Sequence, residues 1–195
     1  MAISSKRRDL IDATKLLLCQ QGFEAMSPAH IIKKSGAGQG SFYHHFQSKA
    51  DLAHHALEEI SNEMIVGFDR MFDGDKSPIE KIMDYLKHPR DGVKGCKMGR
   101  FANEIIINNI AISAPVTNYF KHVENKIKTT IEDAQQMNML TGEINANELA
   151  VTLVAIVQGG FVLSRIHGDA KMVNQATQTA VKIMQSLKNK AVNDV

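Results

Sequence analysis

The chain has too little cysteine, too little proline and too short an apolar run for several classes of protein. Its 195 residues include two cysteines, Cys19 and Cys96, too few for a disulfide framework, and no basic-then-apolar leader with a small-residue cleavage site opens it. A reducing, cytoplasmic setting is the expectation. The longest apolar run, Leu149 to Leu163, is 15 residues and is interrupted by Thr152, Gln158 and the Gly159-Gly160 pair. It falls short of the ~20 residues of a membrane span and reads as a buried helix, so no membrane partner is expected. No charge sign dominates either: 23 Lys and Arg against 21 Asp and Glu leave a net charge of +2, which as a total neither requires nor excludes a polyanionic partner. Repeats, low-complexity tracts and alternating strand-like runs are missing, and proline occurs four times, at positions 28, 78, 89 and 115. With 44% hydrophobic and 23% charged residues the chain has the composition of a folded globular protein, with room for one domain or two small ones.

What is present is helical periodicity and its punctuation. Ser4 and Ser5 can cap a helix over residues 5–21 whose apolar residues Leu10, Ala13, Leu17 and Leu18 recur at spacings of three and four, with Gly22 as its stop. Ser27-Pro28 pairs a capping residue with proline at the first helical position, and the helix 28–35 stops at Gly36. After a tight link, 39–46 forms another short helix, and Ser48 opens a long one from Lys49 to Phe72 with Ala53, Leu57, Ile60, Met64, Phe68 and Met71 on one stripe. Ser77-Pro78 starts a helix of about ten residues. His88 to Gly95 reads as a loop, with Cys96 at or just before the start of a helix reaching Ile112. Pro115 is expected to open the next helix, to Leu140, and Asn145 to cap an apolar helix over 146–167, followed by an amphipathic helix over 173–188. The fold expected is all-α, about nine helices.

Three short helices in the first 46 residues, the second and third joined by a glycine-containing turn, are the sequence form of a helix-turn-helix. Charge is concentrated there. Residues 1–50 hold seven Lys and Arg against three Asp and Glu, net +4, whereas 51–195 hold sixteen against eighteen, net −2. The stretch from Ser27 to Lys49, SPAHIIKKSGAGQGSFYHHFQSK, closely resembles the DNA-binding signature of the tetracycline-repressor (TetR) family. The resemblance implies a helix-turn-helix DNA-binding domain over 1–48 and a ligand-binding and dimerisation domain over 49–195. It places Gln39, Ser41, Tyr43 and His44 on positions that face DNA in the family. The Gln39 amide suits bidentate pairing with an adenine edge, Gly40 allows close backbone approach, and Tyr43 and His44 can donate to phosphate. Lys49 adds a cation at the start of the long helix, and Ser27, Lys6 and Arg7 are expected to add backbone contacts. Phe42 and Phe46 read as core. Gly38 stands where the family usually has Ser or Thr, at the cost of a side-chain cap.

The resemblance further implies a double-stranded operator as partner and a homodimer through the last two helices, which places two recognition helices about one DNA turn apart over a palindrome. A small-molecule inducer or a reactive electrophile would release the DNA. The segment Gly95-Cys96-Lys-Met-Gly-Arg-Phe-Ala-Asn-Glu104 resembles a Gly-Cys-led segment in a branch that senses electrophiles or hypochlorous acid through this cysteine, with a lysine of the penultimate helix facing it; Arg165 is the matching position here. A thiol at a helix N-terminus near Lys94, Lys97 and Arg100 is expected to ionise and react readily. The same cysteine could equally be a small buried residue at a helix start. Met98, Phe101, Ile105, Phe120 and Phe161 could line an apolar cavity or fill a core. No cofactor is expected. Nor is a metal: adjacent histidines such as His44-His45 and His54-His55 point about 100° apart on a helix, away from a shared ligand geometry. A helical enzyme acting on small molecules would need a convergent acid, base or nucleophile set that the motifs lack, and a DNA-coating protein would spread its positive charge along the chain.

Overall fold

A computed structural model describes residues 5–105 and 110–189. Among these the chain is all-helical apart from one isolated bridge, Leu140 to Lys188. Nine helices follow in order: α1 Ser5–Gln21, α2 Pro28–Ser35, α3 Gln39–His45, α4 Lys49–Asp69, α5 Pro78–Lys87, α6 Lys97–Ile105, α7 Ile110–Gln136, α8 Ala146–His167 and α9 Met172–Ser186. They fall into two compact units, one within Met1–Met64 and Lys97–Phe120, the other within Ile65–Cys96 and Lys121–Val195, and α4 and α7 contribute residues to both.

The caps explain why several helices begin and end where they do. Ser27 Oγ accepts from the His30 amide at 3.2 Å to start α2, and Gly36 ends it in the left-handed conformation at φ 65°. Ser77 and Glu80 form a reciprocal capping box at α5, the Ser77 amide donating to Glu80 Oε2 at 2.9 Å. The Asn145 side chain accepts from the amides of Asn147 and Glu148 at the start of α8, and Gly168 closes it. In the first unit Leu10, Ile11 and Leu18 of α1, Ile31 of α2, Phe42 of α3 and Leu52 and Leu57 of α4 are almost completely buried.

In the second unit α8 and α9 form an antiparallel pair. Gly160 lies close to Val173, and Ser164 Oγ accepts from the Val173 amide at 3.1 Å, filling an N-terminal donor of α9 that has no partner within its own helix. An aromatic cluster of Phe68, Phe72 and Tyr85 gathers at the end of α4, where the His122 ring meets Asp69 at 2.7 Å. Arg90 stacks over Tyr85 at 5.0 Å, and burial pushes the Tyr85 phenol up to about 12.

Four expectations need correction. Pro115 lies inside α7, not at its start: the helix begins at Ile110, and a proline this near the N-terminus removes a single helical hydrogen bond. The carbonyl of Pro115 accepts from the buried Ser61 hydroxyl at 3.1 Å. Correspondingly α6 is bounded at Ile105 and residues 110–112 belong to α7, while 106–109 lie outside the described residues. The long α4 stops at Asp69, and residues 70–72 tighten into a turn with Phe72 N bonded to Asp69 O at 2.8 Å. Finally, α9 ends at Ser186 because the backbone of 187–189 pairs with the α7–α8 link: Thr141 N bonds Leu187 O at 3.0 Å and Asn189 N bonds Met139 O at 3.2 Å. At 22 residues α8 is also longer than the apolar run suggests. By length and composition it could cross a bilayer, so its reading as a packed helix rests on its contact with α9, not on shortness.

Candidate nucleic-acid interface

The short helix α3 has two distinct faces. Phe42 and Phe46, four residues apart, are buried at 0% and 1% exposure with ring centroids 6.5 Å apart, which holds the helix against the unit's core. The other side presents Gln39, Gly40, Tyr43 and His44 to solvent, with Tyr43 56% exposed and Ser41 half-buried between. Gln39 and Tyr43 share one helical row and Gly40 and His44 the next, so the four form one polar patch. The Tyr43 ring stands edge-on to Phe42 at 5.0 Å, and the His44 ring edge-on to His45 at 4.8 Å. Gly38 makes no side-chain cap, and the space around Gly38 and Gly40 is open, so backbone as well as side chains are accessible here. The patch therefore offers amide, hydroxyl and imidazole groups at the exposed start and face of a helix, the kinds of donor and acceptor that read base edges and phosphates.

The remaining residues divide by what already holds them. Ser27 is half-buried and its hydroxyl serves as the cap of α2. Lys6 is exposed, 3.7 Å from Asp9, and the Arg7 guanidinium lies 5.3 Å from the Phe46 ring centroid. Lys49 is turned inward: its ammonium donates to the carbonyls of Phe23 and Met26 at 3.1 and 3.0 Å and sits 4.1 Å over the Phe23 ring. The positive count of the first fifty residues is also partly spent within the unit. Arg8 forms a two-pronged pair with Glu59 at 2.8 and 2.7 Å, and Lys15 pairs with Glu59 and Glu63. A charge tally by segment misses this, because the acids lie 44 to 51 residues away. The exposed Lys33 and Lys34, in the last turn of α2, are cations that the motif-based reading passed over; clustering of basic residues at a helix end was the available signal.

The residues singled out as a sensor do not converge in one place. Cys96 is half-buried directly before α6. Arg165 comes close to that segment: its Nη2 donates to Lys94 O at 3.4 Å, and a Cβ on Gly95, where φ is +71°, would meet Nη2 at 2.2 Å. Arg100 is directed to the end of α1, donating to the carbonyls of Leu18 and Cys19 at 3.0 and 2.7 Å. Met98 and Phe101 are completely buried in the first unit, Phe120 is half-buried there, and Phe161 is half-buried in the second. The side chain of Ile105 lies outside the described residues. The second unit has an open cavity of about 260 Å³ lined from α5, α9 and the segment after α5, including Leu86, Pro89, Asn174, Thr177 and Val181, and none of the expected ligand residues lines it.

Fold and exposed helix together define a helix-turn-helix regulator. The chain belongs to the tetR family of bacterial regulatory proteins: that family's model matches residues 10–56, and the model for the tetracyclin repressor-like C-terminal domain matches residues 76–180. It is thus a DNA-binding transcriptional regulator. It is 21% identical over 179 residues to the HTH-type transcriptional repressor DhaR of Mycobacterium sp. (strain GP1), covering 90% of each chain. Among solved structures it resembles a TetR-family regulator from Cytophaga hutchinsonii, with a TM-score of 0.85, 15% identity and coverage of 97% of this chain and 100% of that one. It likewise resembles the reduced form of E. coli NemR, with a TM-score of 0.80, 18% identity and coverage of 96% and 99%.

Proposed function

We propose that the protein is a homodimeric repressor that holds a palindromic operator and lets go of it when a small apolar ligand binds or Cys96 is modified. Residues 1–48 form the DNA-reading part, and 49–195 the dimerising and sensing part. The observation that carries this reading is the solvent-facing row of Gln39, Gly40, Tyr43 and His44 on α3, backed by the buried Phe42 and Phe46. Gln39 reads a base edge. Tyr43 and His44, with Ser41, Ser27, Lys6 and Arg7, hold the phosphates. The two protomers join through α8 and α9: Val151, Val162, Leu163 and Ile166 of α8 and Ile183 of α9 are 42–69% exposed, an apolar surface that a second copy would cover. Induction changes the separation of the two recognition helices through a shift of α4, so that they no longer fit successive major grooves. Neither enzymatic activity nor a cofactor is part of this reading, and the setting is the cytoplasm.

The sensor belongs to the Gly-Cys-led branch. Support comes from Arg165, whose guanidinium lies against Gly95 beside the thiol and supplies a fixed positive charge there. With an unsaturated carbonyl compound the Cys96 sulfur adds to the β-carbon, the carbon–carbon double bond is consumed, and the α-carbon takes a proton from water. Titration of a labelled operator duplex, with and without prior maleimide or quinone treatment, tests both parts. Wild type binds the operator in a salt-sensitive manner and is released by the electrophile, whereas Cys96→Ser binds and is not released. Undiminished release from Cys96→Ser removes the switch, and the lack of any sequence preference removes the repressor.

A further inference from the structure

The DNA-binding helices are fastened to α4 at two places, both by charged side chains. At the first residue of α4, Lys49 reaches back to the link between α1 and α2, where two of its three N–H donors are taken by Phe23 O at 3.1 Å and Met26 O at 3.0 Å, over the Phe23 ring at 4.1 Å. Phe23 and Met26 are themselves buried at 7% and 2% exposure, and Met26 directly precedes Ser27, the cap of α2. The ammonium thus fixes the point at which α2 departs. Nearly three turns further along α4, Glu59 takes both terminal nitrogens of Arg8, at 2.8 and 2.7 Å, and Lys15 Nζ at 3.4 Å, and Glu63 closes on Lys15 from the next turn. Arg8 and Lys15 stand two turns apart on α1, so the carboxylates grip α1 along its length and prevent it from rolling on α4. Burial works to raise the Glu59 carboxyl, yet Arg8 and Lys15 outweigh it and hold it below the ordinary value.

We propose that Lys49 and Glu59 are positioning residues, which set the angle at which α2 and α3 are presented by clamping the α1–α2 link and α1 to the first turns of α4, and that Lys49 is not a phosphate contact. The proposal rests on the reading of α3 as the helix that meets DNA. It accounts for two cations of the basic segment, Arg8 and Lys15, spent on acids far along the chain, and it leaves phosphate neutralisation to exposed groups such as Lys33 and Lys34. A clamp and a phosphate contact affect binding differently. Losing a phosphate contact weakens all duplexes alike and makes the salt dependence shallower by about 0.9 in the log–log slope. Losing the clamp lets the recognition helix tilt, which costs base contacts on the operator and leaves the sequence-independent attraction in place.

The test uses the full-length protein: wild type, Lys49→Met, Lys49→Gln and Glu59→Gln are titrated against an operator duplex and an unrelated duplex of equal length, from about 50 to 200 mM salt. Circular dichroism at the assay temperature checks that each is folded. The expected result is a roughly tenfold or larger loss of operator affinity for Lys49→Met and Glu59→Gln, with affinity for the unrelated duplex held within about twofold and the salt slope unchanged. Lys49→Gln, whose neutral amide still donates to carbonyls, recovers part of the Lys49→Met loss. Equal weakening on both duplexes with a shallower slope, and Lys49→Gln no better than Lys49→Met, overturns the proposal for Lys49. Unchanged operator affinity in Glu59→Gln overturns it for Glu59. A wild-type protein that does not distinguish the two duplexes contradicts the repressor reading itself, a result visible before any variant is compared.

Discussion

Gly160→Ala probes the α8–α9 pairing at the point where the two helices come closest. A Cβ on Gly160 would stand 2.8 Å from the Cα of Val173, 3.1 Å from its Cγ2 and 3.2 Å from its Cβ. An α-carbon cannot rotate away, so α8 and α9 would have to move apart locally. Alanine gains about 1 kcal/mol over glycine in a helix interior. Forcing a methyl group into an occupied crossing costs about 1–3 kcal/mol, and weakening the Ser164–Val173 hydrogen bond costs about 1 kcal/mol more. The clash therefore outweighs the propensity, leaving a net loss of about 1–3 kcal/mol. For a chain of this size each kcal/mol moves Tm by about 2–4 °C. Gly159→Ala is the matched comparison, because nothing lies within 4 Å of a Cβ there and the propensity gain acts without a clash in the protomer. Thermal melts followed by circular dichroism, at one fixed protein concentration because association shifts Tm, measure the pair. A Gly160→Ala protein that melts at or above the wild-type temperature would refute the reasoning.

Other perturbations separate folding from recognition. Phe42→Ala empties a fully buried site between the short helices and should cost about 3–5 kcal/mol in denaturant titration, whereas loss under 1 kcal/mol would mean that Phe42 does not anchor α3. Gln39→Ala, at an exposed position, should leave Tm unchanged while relaxing preference at one base pair by about 1–3 kcal/mol, read by binding to operators varied at single positions. Acid should destabilise the protein through Asp12 and Glu59. Arg8 holds the Asp12 carboxyl down; at Glu59 burial acts in the opposite direction and Arg8 and Lys15 outweigh it. Groups with depressed values contribute their full stability above the unfolded values of 3.8 and 4.5 and lose it as pH falls through the lower folded ones, so denaturant midpoints of wild type should fall more steeply below about pH 4.5 than those of Arg8→Met.

Local signals made much of the fold legible. Ser27-Pro28, Gly36, Asn145 and Gly168 act through backbone donors and acceptors within four residues of themselves, and the helices they delimit begin and end at the expected residues. Pro115 was misleading because proline favours a helix start but also tolerates the second turn, and a neighbouring hydroxyl, Ser61, serves the carbonyl beside it. The end of α9 depended on a partner backbone some fifty residues earlier, which periodicity cannot reveal. The same holds for the candidate interface. The spacing of Phe42 and Phe46 made the exposed row of α3 readable, because burial of one helical face dictates the other. Lys49 and Arg8 looked like surface cations because their partners, two carbonyls and a carboxylate, are distant in the chain. The proposed cavity residues failed for a similar reason: an apolar side chain at helical spacing does not announce which unit it will fill, and Met98 and Phe161 fill different ones.

Selection of bound duplexes from a random-sequence pool, followed by a salt titration of the winner, tests the central claim most directly. The account predicts a pseudo-palindrome whose half-sites lie about 10 base pairs or a multiple of that apart, bound with a steep negative salt dependence and losing its preference at one position per half-site in Gln39→Ala. Recovery of no common sequence, or of a sequence whose preference is indifferent to Gln39, Tyr43 and His44 substitutions, would contradict it.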